Sequence, residues 1–149
     1  MTIEENKSLV KRYFKAVDQA EADLVDRMFT VDCIFHRGDY ADPLIGVAAV
    51  KAVVTQVHKL YQGFKTTIYD LIGEDDLVAC RLKHNAALRG EFTSRIGTFD
   101  VAGKPIEWSA NVFFRFEDGM IAEEWIARDE LGILLDLGIV PELDTNKFD

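Results

Sequence analysis

No apolar run in the chain approaches the roughly 18 residues that a membrane-crossing helix needs, although 48% of its 149 residues are hydrophobic. Positive charge is also scarce. Lys and Arg number 17 against 26 Asp and Glu, a net charge of −9. That balance argues against nucleic acid, which needs a basic surface for phosphate, and against an anionic membrane surface. Cysteine is limited to Cys33 and Cys80, isolated in sequence and read as reduced thiols packed as small apolar groups. His36, His58 and His84 show neither HExxH nor any other close ligand spacing, so no metal site is expected. No glycine-rich phosphate loop follows a strand, which leaves no nucleotide fingerprint, and neither Cys stands near a His in the way that marks a nucleophile. The start, MTIEENKSLVKRYF, lacks the apolar core of a signal peptide, and a cytoplasmic location is expected. With no repeat, low-complexity stretch or linker, residues 1–149 read as one domain, large enough to bury roughly two-thirds of its unfolded surface.

What is present reads as helices followed by strands. Thr2-x-x-Glu5 has capping-box spacing and opens a helix with Leu9, Val10, Tyr13, Phe14 and Val17 in one stripe. A short helix over about 22–29, a strand over 31–35 and a loop over 36–43 follow. Gly46 precedes a helix with Val50, Val53, Val54, Val57 and Leu60 at helical spacing, which Gly63 is expected to end. Strands are expected over 64–72, 77–88 and 91–101. Long antiparallel strands must twist and curl. The fold class that follows is α+β: a cone-shaped, curved antiparallel sheet wrapped around helices, with an internal pocket at its wide end.

The most informative stretch is 106–138, IEWSANVFFRFEDGMIAEEWIARDELGILLDLG. Its first strand alternates with period two, placing Trp108, Ala110, Val112, Phe114 and Phe116 on one face. Asp118-Gly119 supplies a tight turn. The returning strand, 120–128, breaks the alternation: Glu123, Glu124, Arg128 and Asp129 flank Trp125 and Ile126, so either inward face carries charge. An ionisable group in an apolar cavity is a means of tuning a pKa for chemistry. Asp129, where strand hands over to helix, is read as a helix cap.

The segments VDCIFHRGDYADPLIGVAAVKAVV, TTIYDLIGEDDLVACRL, EWSANVFFRFEDGMIAEEW and ELGILLDLG together resemble the SnoaL-like polyketide cyclase family of the nuclear-transport-factor-2-like superfamily, from about residue 4 to residue 138. The resemblance implies the cone-shaped fold, a deep apolar pocket, a dimer formed through the sheet, and aldol closure by an Asp on the last strand without metal or organic cofactor. Carried over position by position, that Asp falls at Ile126 and the His two residues before it at Glu124. A Gln and His pair falls at Ala110 and Val112, and a pocket Asn at Phe35. None of those side chains is retained, so the aldol-cyclase chemistry is not expected to carry over.

The resemblance puts Ala110, Val112, Phe114, Glu124, Ile126 and Arg128 on the pocket face. Glu124 is one candidate acid/base, its carboxyl pKa raised by desolvation. Ketosteroid isomerase, of the same superfamily, uses a carboxylate base and a protonated carboxylic acid in such a way. The competing reading pairs Glu124 with Arg128 across the strand or turns it to solvent. His84 is the second candidate, sharing a strand face with Val78, Cys80, Leu82, Ala86 and Leu88, either as a proton shuttle or as a hydrogen-bonded core residue. His36 is placed at the pocket mouth, beside a loop whose Asp39, Tyr40 and Asp42 could gate a ligand. Tyr13 and Trp108 line the pocket or belong simply to the core. The expected function is cofactor-independent proton transfer on a hydrophobic small molecule, as a cyclase, isomerase or dehydratase. The alternative is a non-catalytic ligand-binding or dimerisation domain. Phe113 and Trp125 on the outward face predict a homodimer.

Overall fold

The structure, a computed structural model, describes residues 1–143; positions 144–149 of the expected domain lie outside the described residues. Helix α1 (Ile3–Asp18) starts where the spacing of Thr2 and Glu5 predicts. The Thr2 hydroxyl accepts the Glu5 amide at 3.2 Å, and the Glu5 carboxylate accepts the Thr2 amide at 2.7 Å. A short 3-10 helix (Ala22–Arg27) leads into β1 (Phe29–His36), a two-residue β2 (Leu44–Ile45) and helix α2 (Val47–Leu60). Then come β3 (Tyr61–Glu74), β4 (Leu77–Leu88), β5 (Glu91–Ser94), β6 (Gly97–Asp100), β7 (Pro105–Glu117), β8 (Met120–Arg128) and helix α3 (Glu130–Asp136).

Six strands form one curved, open sheet in the order β2-β1-β8-β7-β4-β3, and β5-β6 make a separate hairpin. The pairing is antiparallel except between β1 and β8, which run parallel. That parallel contact joins the start of the chain to its end and has no local sequence signal. The β7–β8 hairpin turns on Asp118 (φ 48) and Gly119 (φ 77), the two consecutive positive angles of the turn that matches strand twist. β7 keeps its alternation throughout, with Ile106, Trp108, Ala110, Val112, Phe114 and Phe116 buried. Helix α1 lies against β3 and β4, and α2 against β1 and β3, so the apolar helix stripes close the concave side of the sheet.

Three expected boundaries shift. The first strand begins at Phe29. Helix α2 ends at Leu60 rather than at Gly63, which instead sits within β3 at φ 65, where the register with β4 slips between Gln62 and Lys65. A glycine inside a strand marks such a bulge as readily as it marks a helix end. The single strand expected over 91–101 is the β5–β6 hairpin, with Thr93 opposite Thr98. Among the described residues no helix is long and apolar enough to cross a membrane.

Candidate functional site

A cavity of about 1000 Å³, counting its open mouth, lies between the sheet and the helices. Its walls are mostly apolar: Phe14 and Val17 of α1, Val53, Val54, Val57 and Leu60 of α2, and Phe64, Leu88, Trp108, Ala110, Val112 and Ile126 of the sheet. Among these stand a few polar groups, Tyr13, Arg37, Asp39, Tyr61, His84, Glu124 and Arg128. An apolar pocket with a few converging polar groups is the usual form of a small-molecule site.

Glu124 occupies the middle of the sheet, paired with Phe35 of β1 and Phe114 of β7, both fully buried. Its inward aim follows from a bulge. The β7–β8 register slips so that Arg115 faces Glu123 but Phe116 faces Ile121, leaving Ala122 as the extra residue, with Ile121 and Ala122 both buried. Strict alternation from Ile121 would turn residues 123, 125 and 127 inward; the bulge turns 124, 126 and 128 inward instead. Glu124 has no exposure, and neither carboxyl oxygen has a hydrogen-bond partner. Burial raises its pKa well above the ordinary carboxylate value, and the positive charge of Arg37 only partly offsets that. Burial thus favours the protonated form of Glu124, in which the carboxyl can act as a hydroxyl donor.

The pairing of Glu124 with Arg128 does not form. Arg128 bonds Glu130, through its Nε to Oε1 and its Nη2 to Oε2, and approaches Asp39 at 3.8 Å. Its guanidinium lies 5.7 Å from the centre of the Trp108 ring. Arg37 grips Asp39 through two bonds, at 2.9 and 3.1 Å. Two cations, Arg37 and Arg128, and two carboxylates, Asp39 and Glu130, balance here.

His84 lines the cavity half-buried, with Nδ1 2.9 Å from the Thr66 hydroxyl. Burial, then Arg37 and Arg128, push its pKa down to about 3, so the imidazole is neutral. It belongs to an aromatic wall: its ring is 4.8 Å from Phe64, 5.2 Å from Trp108 and 6.2 Å from Phe14. His84 and Glu124 are not adjacent. His84 pairs with Trp108 and Glu124 with Phe114, six residues apart along β7. The Phe14 ring packs 6.2 Å from that of His84 and 5.9 Å from that of Phe114. The two groups are separate stations in one cavity.

The structure brings Tyr13, Trp108, Val112, Ile126 and Arg128 to this cavity with Glu124 and His84. Burial, then the nearby Glu124, raise the Tyr13 hydroxyl well above its usual pKa, so it stays protonated. Two expected residues lie elsewhere. Phe114 is beneath the lining, fully buried and packed edge-on against Tyr13 and Phe14. His36 is on the convex face: the β1–β8 register sets it beside Trp125, on which it stacks at 5.5 Å and 3°, and its Nε2 lies 2.8 Å from a Glu123 oxygen. Asp39 and Tyr40 of the loop reach the cavity. Arg37 and Tyr61 were not legible as site residues in advance. The close Arg37-x-Asp39 spacing was the one signal for the first, and Tyr61 gave none. Asp129 caps α3, accepting the Gly132 amide at 2.9 Å. Among the described residues no group of three or more His, Cys, Asp or Glu is arranged to hold a metal ion.

A family model described as SnoaL-like polyketide cyclase matches residues 7–137. A comparison with curated protein sequences gives no match. Among solved structures, TsrD from Streptomyces laurentii superposes with a TM-score of 0.80 at 18% identity, over 94% of this chain and 99% of that one. AclR from Streptomyces galilaeus, described as a candidate hydroxylase, gives 0.80 at 20% identity, over 99% and 89%. A SnoaL-like polyketide cyclase from Agrobacterium tumefaciens gives 0.74 at 16% identity, over 93% and 99%. At these identities the likeness shows a shared fold.

Proposed function

The chain belongs to the SnoaL-like polyketide cyclase family, and from that premise we propose that it is an enzyme catalysing proton transfer on an uncharged, hydrophobic small molecule, as a cyclase, isomerase or dehydratase. The observation that carries the reading is Glu124: a carboxylic acid with both oxygens unpartnered, aimed into an apolar cavity. An orphaned buried polar group costs roughly 1–3 kcal/mol, and a ligand oxygen arriving there would remove that cost. In the proposed reaction, protonated Glu124 donates to a carbonyl oxygen, with the Tyr13 hydroxyl as a second donor, and the polarised carbonyl acidifies its neighbouring carbon. As Glu124 gives up its proton, its new negative charge offsets Arg37 and raises the basicity of the cavity. The α C–H bond then breaks, its proton passing to the Glu124 carboxylate or to His84 and its electron pair forming the enol; returning a proton to carbon reverses the step. Trp108, Val112 and Ile126 would hold the apolar body of the ligand. The chemistry so described calls on no metal or organic cofactor.

The test is hydrogen–deuterium exchange at the α-carbons of 2-tetralone, an uncharged bicyclic ketone, followed by NMR in heavy water. The protein should accelerate exchange, and Glu124→Gln should lower the catalysed rate by roughly 10²–10⁴-fold, the usual contribution of a general acid/base. Exchange at the same rate with Glu124→Gln would remove Glu124 from the chemistry and favour a ligand-binding role.

A homodimer and a cytoplasmic setting belong to the same proposal. On the convex face Phe113 and Trp125 are 48% and 36% exposed and are direct cross-strand partners, beside a shallow groove lined by His36 and Asn111. A second copy of the chain covering this apolar patch would remove it from water. Cys33 and Cys80 are buried, free thiols.

A further inference from the structure

Asp18 is the last residue of α1, where unpaired helix carbonyls make the local potential negative and a carboxylate is disfavoured. Strand β3 holds it there. One Asp18 oxygen accepts the Thr66 amide at 3.0 Å and the other the Thr66 hydroxyl at 2.7 Å. That same hydroxyl lies 2.9 Å from His84 Nδ1. β3 is an edge strand, so Asp18 supplies an acceptor that no neighbouring strand provides.

Counting protons along this chain fixes its direction. A hydroxyl has one proton to give and lone pairs to accept with, and an ionised carboxylate only accepts. With Asp18 ionised, the Thr66 proton lies on the Asp18 side, and the contact to His84 is a hydrogen bond only if Nδ1–H donates it. A neutral imidazole has a single ring proton, so Nε2 is left with a lone pair. No described residue bonds Nε2, and the ring lines the cavity. Burial is the largest influence and raises the Asp18 pKa above its ordinary value; the two Thr66 bonds, then His58 and Lys65, favour the carboxylate and partly offset it.

We infer that Asp18 and Thr66 are positioning residues that lock His84 in its Nδ1–H tautomer and present Nε2 to the ligand as a hydrogen-bond acceptor. This rests on the acid/base reading of the cavity given above. Its consequence is a pair of complementary stations: Glu124 offers a donor and His84 an acceptor, their strand partners six residues apart along β7. An uncharged ligand satisfying both places a carbonyl oxygen at Glu124 and a hydroxyl at His84. Were Asp18 protonated, the chain would run the other way and His84 would present Nε2–H, so the charge on one residue at a helix end decides what the cavity asks of its ligand.

The test is long-range proton–nitrogen NMR of the full ¹⁵N-labelled chain at neutral pH, with His84 assigned by its loss in His84→Gln. Nδ1 should resonate as a protonated ring nitrogen and Nε2 as an unprotonated one. Thr66→Val should abolish that bias and Thr66→Ser should restore it, a pattern that a merely structural contact would not produce. A protonated Nε2 in the unsubstituted protein overturns the inference, as does a folded Thr66→Val with the tautomer unchanged. The spectrum of the unsubstituted protein decides the question even if Thr66→Val fails to fold. No ligand is required, so this result is independent of the 2-tetralone exchange, and the failure of one is distinguishable from the failure of the other.

Discussion

Glu124→Gln should change how stability depends on pH. In the unfolded chain Glu124 titrates near its ordinary 4.5, whereas in the fold burial holds its pKa well above that. Between the two values the folded protein retains a proton that the unfolded chain has released. By linkage, stability is then fully present below the unfolded pKa and declines as pH rises through the window toward the folded one. The slope is at most about 1.4 kcal/mol per pH unit, for one proton taken up on folding. Gln has no proton to take up. The difference in unfolding free energy, unsubstituted protein minus Glu124→Gln, should therefore fall as pH rises from about 5 toward the folded pKa, at no more than that limiting slope. Taking the difference cancels other shifted groups, Asp18 among them. The assay is urea unfolding at a series of pH values, with an unchanged denaturant slope as evidence that the native and unfolded states are otherwise alike. Parallel stability curves, or a difference that grows with pH, would mean that Glu124 is ionised in the fold and would refute the reasoning.

Two further outcomes follow from local geometry. Phe113→Lys, placed at the centre of the exposed pair with Trp125, should convert the proposed dimer to a monomer by light scattering with circular dichroism unchanged; a monomeric unsubstituted protein contradicts the dimer. Asp129→Ala removes the side chain that accepts the Gly132 amide and should cost about 1 kcal/mol in urea unfolding, so a neutral result would show that the α3 cap contributes nothing.

The parts of this fold that repeat locally were legible in the sequence. The alternation from Ile106 to Phe116 and the Thr2–Glu5 capping box each depend on near neighbours, and the structure shows both as read. Gly63 misled because glycine's freedom at positive φ serves a helix end and a strand bulge equally. His36 misled because its face is set by a parallel register to β8, nearly ninety positions away in sequence. The same distance hid the Asp18–Thr66–His84 chain, which joins a helix end to two strands. The sequence offered His84 as a base on an apolar face; only packing reveals the groups that orient it. Arg37 and Tyr61 belong to the cavity because the fold brings the end of β1 and the start of β3 to its lining, a consequence of topology.

Glu124 was legible as a question, because the broken alternation in 120–128 demanded that some charge point inward. What answered it was the bulge at Ala122, an irregularity worth one residue of phase. The resemblance assigns the cyclases' acid/base Asp to Ile126 and its neighbouring His to Glu124, two positions on the same face of one strand, about 7 Å apart. In this chain the outer position is apolar and the inner one carries the carboxyl, flanked by Phe35 and Phe114. Moving the acid one same-face step along β8 takes it from a half-buried site to one with no exposure, and that burial is what raises its pKa. A carboxylate at Ile126 could serve as a ready base, whereas in the proposed reaction a carboxylic acid at Glu124 serves first as a donor. On that proposal the rung of the strand that holds the ionisable group sets the proton chemistry, and the backbone bulge chooses the face on which that rung points.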